Sequence, residues 1–111
     1  MSIIKRNSQR FDSLNLISYE CMDENNDVIH QGIGRTINLS ETGILLETKA
    51  LMEIDTIISM SAGLKDDIIE INGKVVFCKE IDGMKFEVGI QFIEKDQAAD
   101  RIIKGFLQTI E

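Results

Sequence analysis

Two arginines near the start of the chain have a spacing that suits the binding of phosphates or guanine bases. Arg6 and Arg10 form an Arg-x-x-x-Arg pattern, RNSQR. Each guanidinium carries five donors in a planar fork, which pairs bidentately with phosphate oxygens or with O6 and N7 of guanine. The spacing places both forks on one face of a helix, or about 13 Å apart in an extended chain. The pattern is common among proteins, so it needs support from a second feature.

The second feature is a short polar segment, NLSETG, at residues 38–43. Asn38 offers an amide that donates and accepts, and Ser40 offers a hydroxyl. Gly43 permits positive φ and lets a ligand approach the backbone. An alternative needs no ligand, because Asn38 and Ser40 can hydrogen-bond their own backbone in a polar turn. From these residues alone, both interpretations stay open.

The elements that must position these residues are predicted to be short strands, which makes the fold class mainly β. Apolar residues alternate with polar ones along several segments, and polar clusters at 23–27 and 63–67 separate them as a turn and a loop. Six short strands predict a closed or nearly closed antiparallel barrel, in which every strand has neighbours. The strands are expected at about 14–21, 33–37, 43–48, 54–60, 69–79 and 85–93.

The last two predicted strands give the clearest hairpin. Between them lies Asp82-Gly83, a pair that favours a type I′ turn with positive φ at both central residues. The apolar residues that recur with a period of two, and are therefore expected on one face, are Ile69, Ile71, Val75 and Phe77 in the first strand and Phe86, Val88, Ile90 and Phe92 in the second.

The C-terminal segment changes to a helical period and predicts an α-helix over about 95–110. Asp96 is a suitable N-cap. The apolar stripe of this helix is expected to cover one end of the barrel, with pairing to another subunit as the alternative. The stripe consists of Ala99, Ile102, Ile103, Phe106 and Ile110.

Composition predicts one domain of 111 residues with an uneven distribution of charge. The net charge of −7 argues against binding to nucleic acid or to an anionic membrane. Lys5, Arg6 and Arg10 nevertheless precede the first acid, Asp12. We therefore divide the chain into a flexible basic arm, 1–12, and a barrel with its helix, 13–111.

The sequence also predicts a cytoplasmic protein with no membrane insertion. Cys21 and Cys78 form no disulfide framework, and buried, reduced thiols are the expectation. The first residues lack the apolar region of a signal peptide, and no apolar run is long enough to span a bilayer.

Several possible reactive or metal sites are set aside. The acidic cluster at 23–27 resembles the start of a calcium loop, but Val28 and Gly34 stand where glycine and glutamate are required. His30, the single histidine, is expected in a loop without neighbouring ligands. Cys78 is expected to serve packing. We therefore expect no catalytic residues, no metal and no cofactor, and a protein that is not an enzyme.

Taken together and in this order, the two motifs resemble those of the PilZ domain family. That family carries RxxxR just before the first strand of its barrel and (D/N)xSxxG after the second strand. The continuation is also similar, with GILLET after the second motif and VGIQF in a late strand before the helix. The resemblance covers nearly the whole chain.

The resemblance implies a six-stranded antiparallel Greek-key β-barrel that binds cyclic di-GMP, a bacterial second messenger. Arg6 and Arg10 would grasp the phosphates and the Hoogsteen faces of the guanines. Asn38, Ser40 and Gly43 would line a base on the barrel surface. The N-terminal arm would become ordered on binding and so create or hide a surface for a partner protein.

The roles of two further basic residues, the ligand stoichiometry and the oligomeric state stay open. Lys5 either contacts a second, stacked nucleotide or is solvated, so one or two ligands can bind per site. Arg35 either adds a cation near the site or is an exposed strand residue. Monomer and homodimer are both compatible with the sequence. The alternatives to a receptor are a PilZ-fold adaptor that binds only protein, and a small barrel that binds single-stranded nucleic acid.

Overall fold

The computed structural model describes residues 16–64, 67–95, 97, 99–101 and 103–104. Within them the chain forms six strands and a short C-terminal helix, α1, whose described positions lie between 97 and 104. The strands are β1 (Leu16–Met22), β2 (Val28–Leu39), β3 (Gly43–Thr48), β4 (Ile57–Leu64), β5 (Asp67–Asp82) and β6 (Lys85–Lys95).

The six strands close into an antiparallel barrel in the order β1-β2-β3-β6-β5-β4, with β4 paired to β1. The chain passes through β1, β2 and β3 as neighbours and then crosses one end of the barrel to reach β4. The second set of three strands returns beside β3 through β6. The predicted barrel is therefore confirmed.

The register defines two ends of the barrel. At the first end lie the start of β1, the β2–β3 turn (40–42) and α1. At the second end lie the β1–β2 turn (23–27) and the β3–β4 connection (49–56), because Met22 pairs with both Val28 and Ile57. The 23–27 cluster is a turn, as predicted, and Asn26 takes positive φ there, at 67°.

The core follows the predicted alternation in most strands. Ile17, Tyr19 and Cys21 point inward from β1, and Val88 and Ile90 point inward from β6. Burial of such side chains stabilises the fold by about 1.5–3 kcal/mol each. Neither cysteine forms a disulfide, since Cys21 is buried as a free thiol and Cys78 is half-buried.

Phe77 is an exception to the predicted alternation. A register shift between Val75 and Phe77 inserts one residue into β5. Val75 is fully buried, whereas Val76 and Phe77 are both nearly half exposed. The prediction that Phe77 shares the inward face with Val75 is therefore wrong, because a bulge changes which side chains face the core.

The turn between β5 and β6 also differs from the prediction. The hairpin exists, but Asp82 pairs with Lys85, so its two central residues are Gly83 and Met84. Neither has positive φ, so the turn is not type I′. Instead, the Asp82 carboxylate accepts a hydrogen bond from the Met84 backbone N–H at 3.1 Å. A register shift between Glu80 and Asp82 accompanies the turn.

Other strand boundaries also differ from those predicted. β2 begins at Val28, five residues before the predicted start at 33, because its pairing with β1 continues back to Val28, although Val28 and Ile29 are exposed. β4 begins at Ile57 rather than at 54, since Ile54 and Asp55 form a turn in which Asp55 has positive φ, at 76°. Residues Gly63, Leu64 and Asp67, predicted in a loop, lie in β4 and β5.

Helix α1 covers the first end of the barrel. Ala99 and Ile103 are completely buried. Ile103 borders a small apolar cavity together with Ile17, Leu39 and Ile44 of the barrel. The described part of α1 thus agrees with the expected capping role, while Asp96, Ile102, Phe106 and Ile110 lie outside the side chains described. In the described part of the chain, no helix has the length and apolar character needed to cross a membrane.

Candidate functional site

The polar segment at 38–43 forms the corner where β2 turns into β3, here called the β2–β3 corner. Ser40 organises it. Its backbone N–H donates to the Gly43 carbonyl at 2.9 Å. Its hydroxyl donates to the same carbonyl at 3.2 Å and accepts from the backbone N–H groups of Thr42 and Gly43 at 3.3 and 3.1 Å. The corner therefore has a fixed shape without any ligand.

Asn38 is brought to the surface beside this turn by an irregularity in β2. A register shift between Thr36 and Asn38 sets Asn38 opposite Leu45 of β3. Its side-chain oxygen accepts a hydrogen bond from the Leu39 backbone N–H at 2.9 Å. Within the described residues its amide NH₂ group has no hydrogen-bond partner, so both donors are available on an exposed surface.

Gly43 lies where β3 and β6 approach each other closely. It does not take positive φ. A Cβ atom at this position would stand 2.5 Å from the Ile90 carbonyl oxygen of β6. Glycine is therefore required here by the close approach of two strands and not by positive φ, and its contact with a ligand stays a prediction.

Arg35 lies on β2 three residues before Asn38 and takes part in a cross-strand ion pair. It sits directly opposite Glu47 of β3, and its guanidinium reaches the Glu47 carboxylate at 2.6 Å. Lys85 approaches the other oxygen of Glu47 at 3.7 Å. The hydrogen bond from Arg35 lowers the pKa of Glu47 below its ordinary value, despite an opposing effect of burial. The cluster carries two cations and one anion, so it keeps one positive charge.

The two arginines of the first motif, and Lys5 beside them, lie outside the described residues. Where their segment joins the barrel is nevertheless clear. Leu16, the first described residue of β1, pairs with Arg35 of β2. Arg10 precedes Leu16 by six residues, and an extended chain of that length spans about 20 Å. The described chain thus begins beside Arg35 of β2.

The structure brings Asn38, Ser40, Gly43 and Arg35 together on one strand pair, β2–β3. Glu47 was missed by sequence reasoning. The signal that could have found it is a strand pairing, since Arg35 and Glu47 face each other only once the β2–β3 register is known.

The residues set aside on the sequence play structural parts. His30 lies in β2, not in a loop, and its Nε2 is 3.4 Å from the Tyr19 hydroxyl. Burial raises the pKa of Tyr19, and the nearby Cys21 adds to the effect. Cys78 packs against the core. Among the described residues, no group of three or more histidine, cysteine or acidic side chains is arranged to hold a metal ion.

Comparison with known proteins identifies the family of the chain and a solved structure with a similar fold. The family model described as "PilZ domain" matches residues 4–109, which is nearly the entire chain. No curated protein matches. Among solved structures, MrkH of K. pneumoniae is similar, with a TM-score of 0.61 and 15% sequence identity over 85% of this chain. The match covers 44% of MrkH, so the chain spans less than half the length of that protein.

Proposed function

The chain belongs to the PilZ domain family, and we propose that it is a cytoplasmic cyclic di-GMP receptor without catalytic activity. Its ligand-binding residues are Arg6 and Arg10 on the N-terminal arm and Asn38, Ser40 and Gly43 at the β2–β3 corner. Binding orders the arm, residues 1–12, against the barrel and thereby alters a surface that a partner protein recognises.

The observation that supports this proposal most directly is the place where the arm joins the barrel. Leu16 pairs with Arg35, three residues from Asn38. Arg6 and Arg10 are thus tethered close to the corner, at a high effective concentration. The arginine forks recognise phosphates and guanine Hoogsteen faces, and the free NH₂ donors of Asn38 recognise an acceptor on the base.

Charge supports the same arrangement. Cyclic di-GMP carries two phosphates, and the net charge of −7 on the chain would repel it. Lys5, Arg6 and Arg10 supply three positive charges on the arm. Arg35 adds to them through the positive charge that its cluster with Glu47 retains. We assign Arg35 a supporting electrostatic role and Lys5 a possible contact with a second ligand.

One observation favours a second candidate, a PilZ-fold adaptor that binds protein and no nucleotide. Ser40 is fully engaged in the hydrogen bonds of its own turn, and the Asn38 oxygen is bound to the Leu39 N–H. A corner whose hydrogen bonds are made within its own turn does not require a ligand to keep its shape. We place this candidate second because both motifs keep every residue of the family pattern.

Isothermal titration calorimetry with cyclic di-GMP, run beside GTP and cyclic AMP, tests the proposal. We expect heat only with cyclic di-GMP and a dissociation constant in the micromolar range, equivalent to about 8 kcal/mol. A hundredfold excess of ligand over that constant would add about 2.7 kcal/mol to stability and raise the melting temperature. Absence of both heat and thermal shift would support the adaptor instead.

A further inference from the structure

A groove of about 410 Å³ opens at the second end of the barrel, between the β1–β2 turn and the β3–β4 connection. Its apolar wall contains Met22, Ile29, Ile54 and Ile57. Ile29 is 62% exposed and Ile54 is 54% exposed. Apolar side chains gathered in an open groove mark a surface that another chain segment can cover.

The same groove is bordered by acids. Four acidic residues line it, Asp23, Glu24, Glu53 and Asp55. Among the described residues, the single cation paired with any of them is Lys74, whose Nζ lies 3.9 Å from Asp55. An apolar surface with such a border suits an occupant that combines apolar side chains with several positive charges.

The walls of the groove are held in shape by hydrogen bonds of their own. One oxygen of Asp23 accepts from the backbone N–H groups of Asn25 and Asp27 at 2.8 and 3.0 Å. The backbone N–H of Asp55 donates to the Val75 carbonyl at 2.7 Å. Because the walls are preformed, an occupant need not order them on binding.

The chain itself contains a segment with the matching chemistry. Residues 1–11 hold no acid. The segment carries a charge of +3 within a chain of −7, so the remaining residues carry −10. Its basic residues are Lys5, Arg6 and Arg10, and its apolar residues include Ile3, Ile4 and Phe11.

We propose that residues 1–11 dock in this acidic groove of the same molecule when no ligand is bound. The seven-residue strand β1 leads from Leu16 to Met22 at the groove, a distance of about 20 Å. Lys5 precedes Leu16 by eleven residues, and an extended chain of that length spans about 36 Å. The segment is therefore long enough to run back along the barrel and place Lys5 and Arg6 among the carboxylates.

The effect of this docking on ligand affinity rests on the proposed function, the binding of cyclic di-GMP. The β2–β3 corner lies at the first end of the barrel and the groove at the second, so Arg6 and Arg10 cannot serve both. Docking in the groove lowers the fraction of molecules whose N-terminal arm is free to bind cyclic di-GMP. The apparent dissociation constant for cyclic di-GMP rises in inverse proportion to that fraction. The acids of the groove thus set the ligand concentration at which the protein responds.

Cross-linking of the full chain with a zero-length carbodiimide tests where the segment lies. In the absence of ligand we expect mass spectrometry to find Lys5 joined to Glu53 or Asp55 in the monomer band. The Lys74–Asp55 pair is a built-in control, since its atoms are already 3.9 Å apart. Saturating cyclic di-GMP should remove the Lys5 cross-link and leave the control.

Two cross-linking results would overturn the proposal. One is a Lys74–Asp55 product with no Lys5 product at the groove. The other is a Lys5–groove product confined to the dimer band, which would make a second copy the occupant.

Calorimetry with charge variants provides an independent measurement. Glu53→Gln combined with Asp55→Asn should tighten cyclic di-GMP binding about threefold to tenfold, since each exposed ion pair is weak. Asparagine suits position 55 because it tolerates positive φ. The matched control, Glu70→Gln with Glu80→Gln, removes two exposed acids from the outside of β5.

Equal effects of the two double variants would refute the groove as the docking site, because they would reflect overall charge alone. If the unaltered protein gives no heat with cyclic di-GMP, the proposed function fails. The ligand-free cross-link then still decides whether the segment docks in the groove.

Discussion

Gly43 of β3 lies so close to Ile90 of β6 that a Cβ atom on the glycine would stand 2.5 Å from the Ile90 carbonyl oxygen. Real Cβ atoms do not approach an oxygen so closely, and the obstructing atom belongs to backbone that is paired within the barrel. The glycine of the NLSETG segment is therefore a requirement of strand packing.

Replacement of Gly43 by alanine should lower the free energy of unfolding by about 1–3 kcal/mol, because β3 and β6 must separate to admit the methyl group. Urea denaturation followed by circular dichroism measures the change. Gly83→Ala is the matched control, since its nearest obstacle is the end of the Glu80 side chain at 3.9 Å. Similar losses for both variants would show that the contact with Ile90 is unimportant.

Replacement of Ser40 by alanine should also destabilise the protein in the absence of any ligand. The hydroxyl accepts hydrogen bonds from two backbone N–H groups of the turn. Their loss should reduce the free energy of unfolding by about 1 kcal/mol, since exposed groups regain water as a partner. Ser18→Ala, on the exposed face of β1, serves as the control and should have almost no effect. A stable Ser40→Ala protein would mean that the turn is held by its backbone alone.

Arg10→Ala should weaken the binding of cyclic di-GMP at least tenfold, as should Arg6→Ala. A bidentate arginine contact is worth about 1–3 kcal/mol, a large share of the roughly 8 kcal/mol of a micromolar complex. Calorimetry gives the affinity, and thermal unfolding without ligand checks that the fold is unchanged. Arg101→Ala removes an equal charge from the exposed side of α1 and should leave binding unaltered. Unchanged affinity in Arg10→Ala would exclude the proposed contact.

Glu47 should make stability depend on pH in the acid range. Its pKa is lowered in the folded protein, chiefly by the hydrogen bond from Arg35. A lowered pKa contributes stability at pH values above the ordinary glutamate pKa of about 4.3, and this contribution is lost as the pH falls through the lower folded-state pKa. Because Arg35 is 53% exposed, the contribution at pH 7 should be less than about 1 kcal/mol.

Glu47→Gln should remove that dependence. Melting temperatures measured from pH 7 to pH 3 should fall less steeply in the variant than in the unaltered protein. Glu70→Gln, which leaves the Arg35 pair intact, should follow the unaltered curve. Parallel curves for all three proteins would show that the ion pair adds nothing to stability.

Much of the barrel could be predicted because local patterns determined it. The boundaries of β3 at Gly43 and Thr48 are those expected, and the alternation of Val88 and Ile90 identified the inward face of β6. Two of the failures, both in the β5–β6 hairpin, share one physical origin. The insertion at Val76 and the turn at Gly83-Met84 depend on how neighbouring strands pair. The pairing register cannot be predicted from the sequence of one strand alone.

The sequence predicted which residues lie together at the β2–β3 corner but not the contacts that they make. Motif spacing identified Asn38, Ser40 and Gly43, and all three lie in the β2–β3 corner. Gly43 is constrained by the backbone of Ile90, and Arg35 is paired with Glu47. In each case the partner lies in a different strand. Such contacts arise only when the strands are assembled.

Strand β3 pairs with β2 on one side and with β6 on the other. The strand that begins at the corner thus offers no free edge on which another protein could add a strand of its own. Under the proposed function, a partner that recognises the ligand-bound corner would therefore have to distinguish side chains and turns. Its recognition can be altered by exchanging surface residues one at a time, with the hydrogen-bonded framework of the barrel left in place.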